Sequence, residues 1–118
     1  RIGQGKFRSS LIDLEKKCRI TNVTYPKFLR ASHIKPWSLS SNQERLDGNN
    51  GLLLSPHFDH LFDKRFITFS NEGDLIISSK LLKEIMKLWN FSEIINVGKF
   101  RQEQLGYLKF HRKFVYNP

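Results

Sequence analysis

Two neighbouring stretches, FLRASHIKPW over residues 28–37 and NNGLLLSPHFDHLFD over residues 49–63, decide how this chain reads. In the first, residues 28–34 alternate well enough for a short strand. Leu29, Ala31 and His33 fall on one face, and Phe28, Arg30, Ser32 and Ile34 on the other. Pro36 ends the strand because it has no N–H for a ladder, which leaves His33 at the strand's end. Residues 38–49 are nearly free of apolar side chains and read as a surface loop. Asn49-Asn50-Gly51 reads as a tight turn, since Asn and Gly tolerate positive φ, and Leu52 to Leu54 as a short buried second strand. The pair makes a splayed hairpin.

Ser55-Pro56 then signals a helix start. On the helix that follows, Phe58, Leu61 and Phe62 share one side while His57, Asp59, His60 and Asp63 occupy the rest. Asp59 and Asp63, at i and i+4, lie one above the other. The phenyl rings belong in the core, and the carboxylates point outward or toward the hairpin.

Working outward, residues 6–17 place Phe7, Leu11 and Leu14 on one helical stripe, with Arg1, Lys6, Arg8, Lys16, Lys17 and Arg19 on or beside that helix. Residues 66–69 and 74–78 read as a second hairpin turning at residues 71–73. Residues 80–91 have helical periodicity, with Leu81, Ile85, Leu88 and Trp89 on one stripe, and residues 100–116 read as a last helix with Gly106 as its weak point. His111 and Arg112 close the chain beside a basic cluster. The elements define an α+β fold in one domain spanning residues 1–118.

With 118 residues and 39% hydrophobic content the chain suits one modest core. Cys18 is the single cysteine, which excludes an intramolecular disulfide and a cysteine-based zinc site, and a reducing, cytoplasmic setting is expected. No apolar run approaches the roughly 20 residues of a membrane span, and no signal-peptide pattern is present. The first residue is Arg1, so the chain is expected to be the C-terminal part of a longer protein. Of the net charge of +9, residues 1–40 hold +7, residues 41–76 hold −3 and residues 77–118 hold +5. An acidic middle between basic flanks is the pattern of a cation site set within a polyanion-binding surface.

Strand, loop, strand and helix, with a histidine ending the first strand, an asparagine entering the second and acids on the helix, resemble the HNH nucleases and their ββα-metal (His-Me finger) core. The matching motifs are Ala31-Ser32-His33-Ile34-Lys35-Pro36-Trp37, Asn50-Gly51-Leu52-Leu53-Leu54 and Asp59-His60-Leu61-Phe62-Asp63. Flanking likeness runs through Gly3-Gln4, Phe7-Arg8, Cys18-Arg19-Ile20-Thr21, Tyr107-Leu108 and His111-Arg112, so the core motif at 28–69 sits in a chain that resembles the family nearly throughout.

The resemblance implies a metal-dependent DNA endonuclease domain. His33 is the base that takes a proton from water, a task suited to an imidazole. Asp59 and Asp63 hold a divalent cation that stabilises the scissile phosphate and the leaving oxygen. Asn50 either braces the loop or joins the metal shell. His60 and His57 are each a ligand, a phosphate contact or neither, with His60 placed first at the metal and His57 at DNA. Arg8, Lys35 and Arg112 are the other candidate DNA contacts. Many relatives carry Asp or His where this chain has Ser32, a poor ligand, so the shell must come mostly from the helix and favours Mg²⁺ or Mn²⁺ over zinc. The implied partner is double-stranded DNA, met by a restriction-type catalytic module with a recognition domain in the same polypeptide, and a homodimer for cutting both strands. The alternative is a non-catalytic nucleic-acid-binding module that keeps the fold.

Overall fold

The computed structural model describes residues 3–93 and 95–118. Arg1, one of the bases assigned to the first helix, lies outside the described residues. Helix α1 (Gln4–Glu15) presents Phe7 and Leu11 to the core. Strand β1 (Arg30–His33) pairs antiparallel with β2 (Gly51–Leu54), setting His33 opposite Gly51 and Arg30 opposite Leu54. Helix α3 (Pro56–Asp63) follows directly, with Phe58, Leu61 and Phe62 buried. Eight residues are too few for a stable isolated helix. Burial of those three side chains, worth roughly 2 kcal/mol each, is what holds it.

The second hairpin pairs β3 (Ile67–Phe69) with β4 (Leu75–Ile77). Its turn needs Gly73, at φ 96°, because a Cβ there would come within 2.1 Å of the Gly98 carbonyl oxygen. Helices α4 (Lys83–Leu88) and α5 (Gln102–Phe110) complete the chain, and α5 runs on into a π-helical turn, His111–Val115. The hairpins and helices together are a small α+β domain of the ββα type.

Several expectations change. The polar connection at 38–49 is not plain loop: it holds a 3-10 turn, Trp37–Leu39, and helix α2 (Asn42–Leu46). A capping box closes α2, the Ser41 hydroxyl accepting from the Glu44 N–H while the Glu44 carboxylate accepts from the Ser41 N–H. Gly51 does not use positive φ, and neither do Asn49 and Asn50. The glycine is needed for proximity, since a Cβ at residue 51 would sit 2.7 Å from the Phe7 ring. Leu14 and Leu88, placed on apolar stripes, are exposed. Glu15 takes the inward position on α1 instead. It is ion-paired to Arg19 at 2.8 Å and to Arg101 at 2.7 Å, so the buried charge is compensated and α1 is tied to the start of α5.

Candidate active site

A cleft of about 430 Å³ opens where β1 ends, with Ser32, His33 and Trp37 on one side and Asp59, Asp63 and His111 on the other. His33, Asp59 and Asp63 are distant in sequence, and the packing of α3 against the hairpin brings them to one cavity. Ser32 hydrogen-bonds through its hydroxyl to Asp59 Oδ1 across the join.

His33 is fixed from two directions. Its ring stacks on Phe7 of α1, centroids 3.7 Å apart and planes 9° from parallel. Its Nε2 lies 2.9 Å from the Arg45 carbonyl oxygen on α2. A carbonyl can only accept, so Nε2 carries the proton and the basic lone pair falls on Nδ1. α2 is itself anchored to the chain before it, for Arg45 Nε donates to the Trp37 carbonyl at 2.9 Å and the guanidinium lies 3.6 Å over the indole. A short helix in the connection therefore sets the tautomer of the histidine.

Asn50 is fully buried and outside the cleft lining. Its Oδ1 accepts from the Lys35 N–H at 2.8 Å, and its Nδ2 donates to the Glu44 carbonyl at 3.0 Å. One side chain thereby pins both the exit from β1 and the end of α2. His60 is exposed and does not line the cleft. His57 is half-buried against Phe58 and Trp89, at 4.3 and 5.5 Å between ring centroids, and burial pushes its pKa down.

The other candidate DNA contacts also lie off the cleft. Lys35 pairs with Glu44 at 3.0 Å, its ammonium 4.9 Å over the Phe110 ring. Arg8 donates to the Leu29 carbonyl at 3.0 Å and to the Pro26 carbonyl. Arg112 donates to the Phe69 carbonyl at 2.9 Å and to Asn71 Oδ1 at 3.0 Å.

Within the cleft, the residue that sequence reasoning placed wrongly is His111. It is buried rather than on the basic surface, because Leu108, His111 and Val115 recur on the inward side of α5 and its π-turn. That spacing was the signal available. Its Nδ1 lies 2.8 Å from Thr68 Oγ1, and its ring stacks on Phe62 at 4.0 Å and 4°. Burial drives its pKa down to about 4, so it is neutral at physiological pH.

Among the described residues no group of three or more His, Cys, Asp or Glu side chains is arranged to hold a metal ion. The carboxylates lining the cleft are two from one face of α3, with the Ser32 hydroxyl on one of them. Such a set fits a hard cation of the Mg²⁺ type, which keeps several waters and needs one or two protein carboxylates plus phosphate oxygens. It does not fit structural zinc, which takes four protein ligands.

The fold and the cleft together define a class. Residues 18–70 match the family model of the HNH endonucleases, so that span is similar to an HNH endonuclease domain. No curated protein matches the chain. Among the described residues no helix is long and apolar enough to cross a membrane.

Proposed function

We propose that this domain is a metal-dependent DNA endonuclease that hydrolyses phosphodiester bonds, with His33 as general base. The observation that carries the reading is the shared cleft: an imidazole held at Nε2 by the Arg45 carbonyl lines the same cavity as Asp59 and Asp63. A nucleophilic water on the Nδ1 side passes its proton to the ring. The Arg45 carbonyl stabilises the imidazolium that forms, and Phe7 keeps the ring in plane. Asp59 and Asp63 would hold a divalent cation, Mg²⁺ or Mn²⁺, which when bound would supply charge stabilisation at the scissile phosphate and leaving oxygen. Ser32 orients Asp59 by hydrogen bonding, as an outer partner commonly orients a ligating carboxylate. Asn50 acts as a brace, its amide being engaged with the backbone at Lys35 and Glu44.

The wider setting rests on the likeness of the motifs. It comprises double-stranded DNA as substrate, a cytoplasmic restriction-type defence role, a recognition domain elsewhere in the polypeptide and two copies to cut two strands. A second reading, a DNA-binding module without activity, is favoured by the lack of a three-residue ligand cluster among the described residues. Conversion of supercoiled plasmid to open circle in Mg²⁺ or Mn²⁺ separates them. The proposal expects nicking by the wild type and not by His33→Ala, and binding without nicking in both metals selects the inactive module.

A further inference from the structure

A second recess of about 320 Å³ lies off the catalytic cleft, lined by Arg8, Lys27, Phe28, Leu29, Arg30 and Pro56. Three of its six residues are cations and none is an acid. The segment Pro26–Phe28 forms a 3-10 turn, and Arg8 holds that turn in place by donating to the carbonyls of Pro26 and Leu29. Arg8 is thus a support. The outward groups are Lys27, Phe28 and Arg30, all exposed. Phe28 is 65% exposed and Tyr25, the residue before the turn, 70%, so two aromatic rings stand in solvent at one end of the braced turn.

The recess is built from the beginnings of the same two elements whose later residues make the cleft: Arg30 starts the strand that ends at His33, and Pro56 starts the helix that carries Asp59 and Asp63. Arg30 and Ser32 point to the same face of β1, and Ser32 reaches Asp59. Three residues of strand separate Arg30 from His33 by about 10 Å, roughly three base-pair rises along a duplex axis. The recess therefore lies within a few nucleotides' reach of a strand whose scissile phosphate sits in the cleft.

We infer that this recess, from Lys27 and Arg30 on its rim to the Phe28 ring, binds an unpaired nucleotide of the bound DNA, cations to phosphate and ring to base. Exposed aromatic rings within a positively charged groove are the general solution for gripping unstacked bases, because every base offers a π-face. Duplex backbone alone would use the cations and leave Phe28 idle. The inference rests on DNA being the polymer in the cleft.

Fluorescence anisotropy in EDTA, where cleavage is silenced, compares a blunt duplex with the same duplex carrying a short single-stranded extension. The wild type is expected to bind the extended DNA about 10-fold more tightly, within the range of one base stacked on one ring. Phe28→Ala abolishes that preference with the blunt affinity kept, and Phe28→Tyr restores it. The Lys27→Ala/Arg30→Ala pair weakens both DNAs and lowers the salt slope by about 2. Equal wild-type affinity for the two DNAs, or a preference untouched in Phe28→Ala, overturns this inference alone. Wild-type protein that keeps the preference yet never nicks in Mg²⁺ overturns the nuclease reading and leaves this one standing.

Discussion

Two histidines face one cleft, each stacked nearly parallel on a phenylalanine, and their surroundings give them opposite properties. His33 sits on Phe7 at 3.7 Å and His111 on Phe62 at 4.0 Å. His33 ends a strand, half-buried, with one ring nitrogen on the backbone carbonyl of Arg45. His111 lies in the interior, its Nδ1 on the Thr68 hydroxyl and its pKa down at about 4. A ring at the cavity edge can exchange protons with solvent and substrate, whereas one deep in an apolar setting is held neutral and works as a polar peg between α5, β3 and α3. The difference teaches that stacking fixes orientation, while depth of burial decides whether an imidazole serves chemistry or architecture.

The sharpest way to break the comparison is to remove each ring in turn. His33→Ala is expected to cut the plasmid nicking rate by roughly 10² to 10⁴-fold with little change in melting temperature, measured on matched protein by gel and by circular dichroism. If nicking survives that substitution, the proposed base is wrong. Asn50→Ala tests the frame behind His33. It strips partners from the half-buried Lys35 N–H and Glu44 carbonyl, and a loss of about 1–3 kcal/mol in urea unfolding is expected, with reduced nicking even where the protein remains folded.

His111 sharpens the contrast through pH. The unfolded chain binds a proton to this imidazole near pH 6.5, the folded chain only near 4. Its neutral, buried form therefore favours folding above pH 6.5, and that stabilisation is lost as pH falls from 6.5 toward 4. The urea-unfolding free energy of wild type should drop by an amount on the order of 2–3 kcal/mol across that window, and His111→Gln should show a flatter profile. An identical pH slope in both proteins removes the peg. The smallest effect is at His60, which is exposed and away from the cleft lining: His60→Ala should leave nicking within about twofold of wild type. A large loss there would put it back among the metal ligands.

The two hairpins show how much the sequence made legible. Alternation at residues 28–34 and the Leu52–Leu54 run announced β1 and β2, and the apolar face of Phe58, Leu61 and Phe62 announced α3. Local period sufficed because each element buries one regular face. The capping box of Ser41 and Glu44 was equally local, yet it was obscured by the polar composition around it, and α2 passed for loop. Glu15 and His111 could not be placed by type, since charged or titratable residues usually face water; long-range partners, Arg101 beside the local Arg19 in one case and Thr68 in the other, make their burial tolerable.

By itself the sequence determined the order of elements, the helical face shared by Asp59 and Asp63 and the strand end that carries His33, because these depend on periodicity and on where proline and glycine interrupt it. The folded molecule alone decided which nitrogen of His33 bears the proton, that Asn50 holds the connection rather than facing the cavity, and which histidine is sealed away. Those are relations between groups many residues apart, fixed by hydrogen-bond geometry and desolvation in three dimensions. No local pattern encodes them.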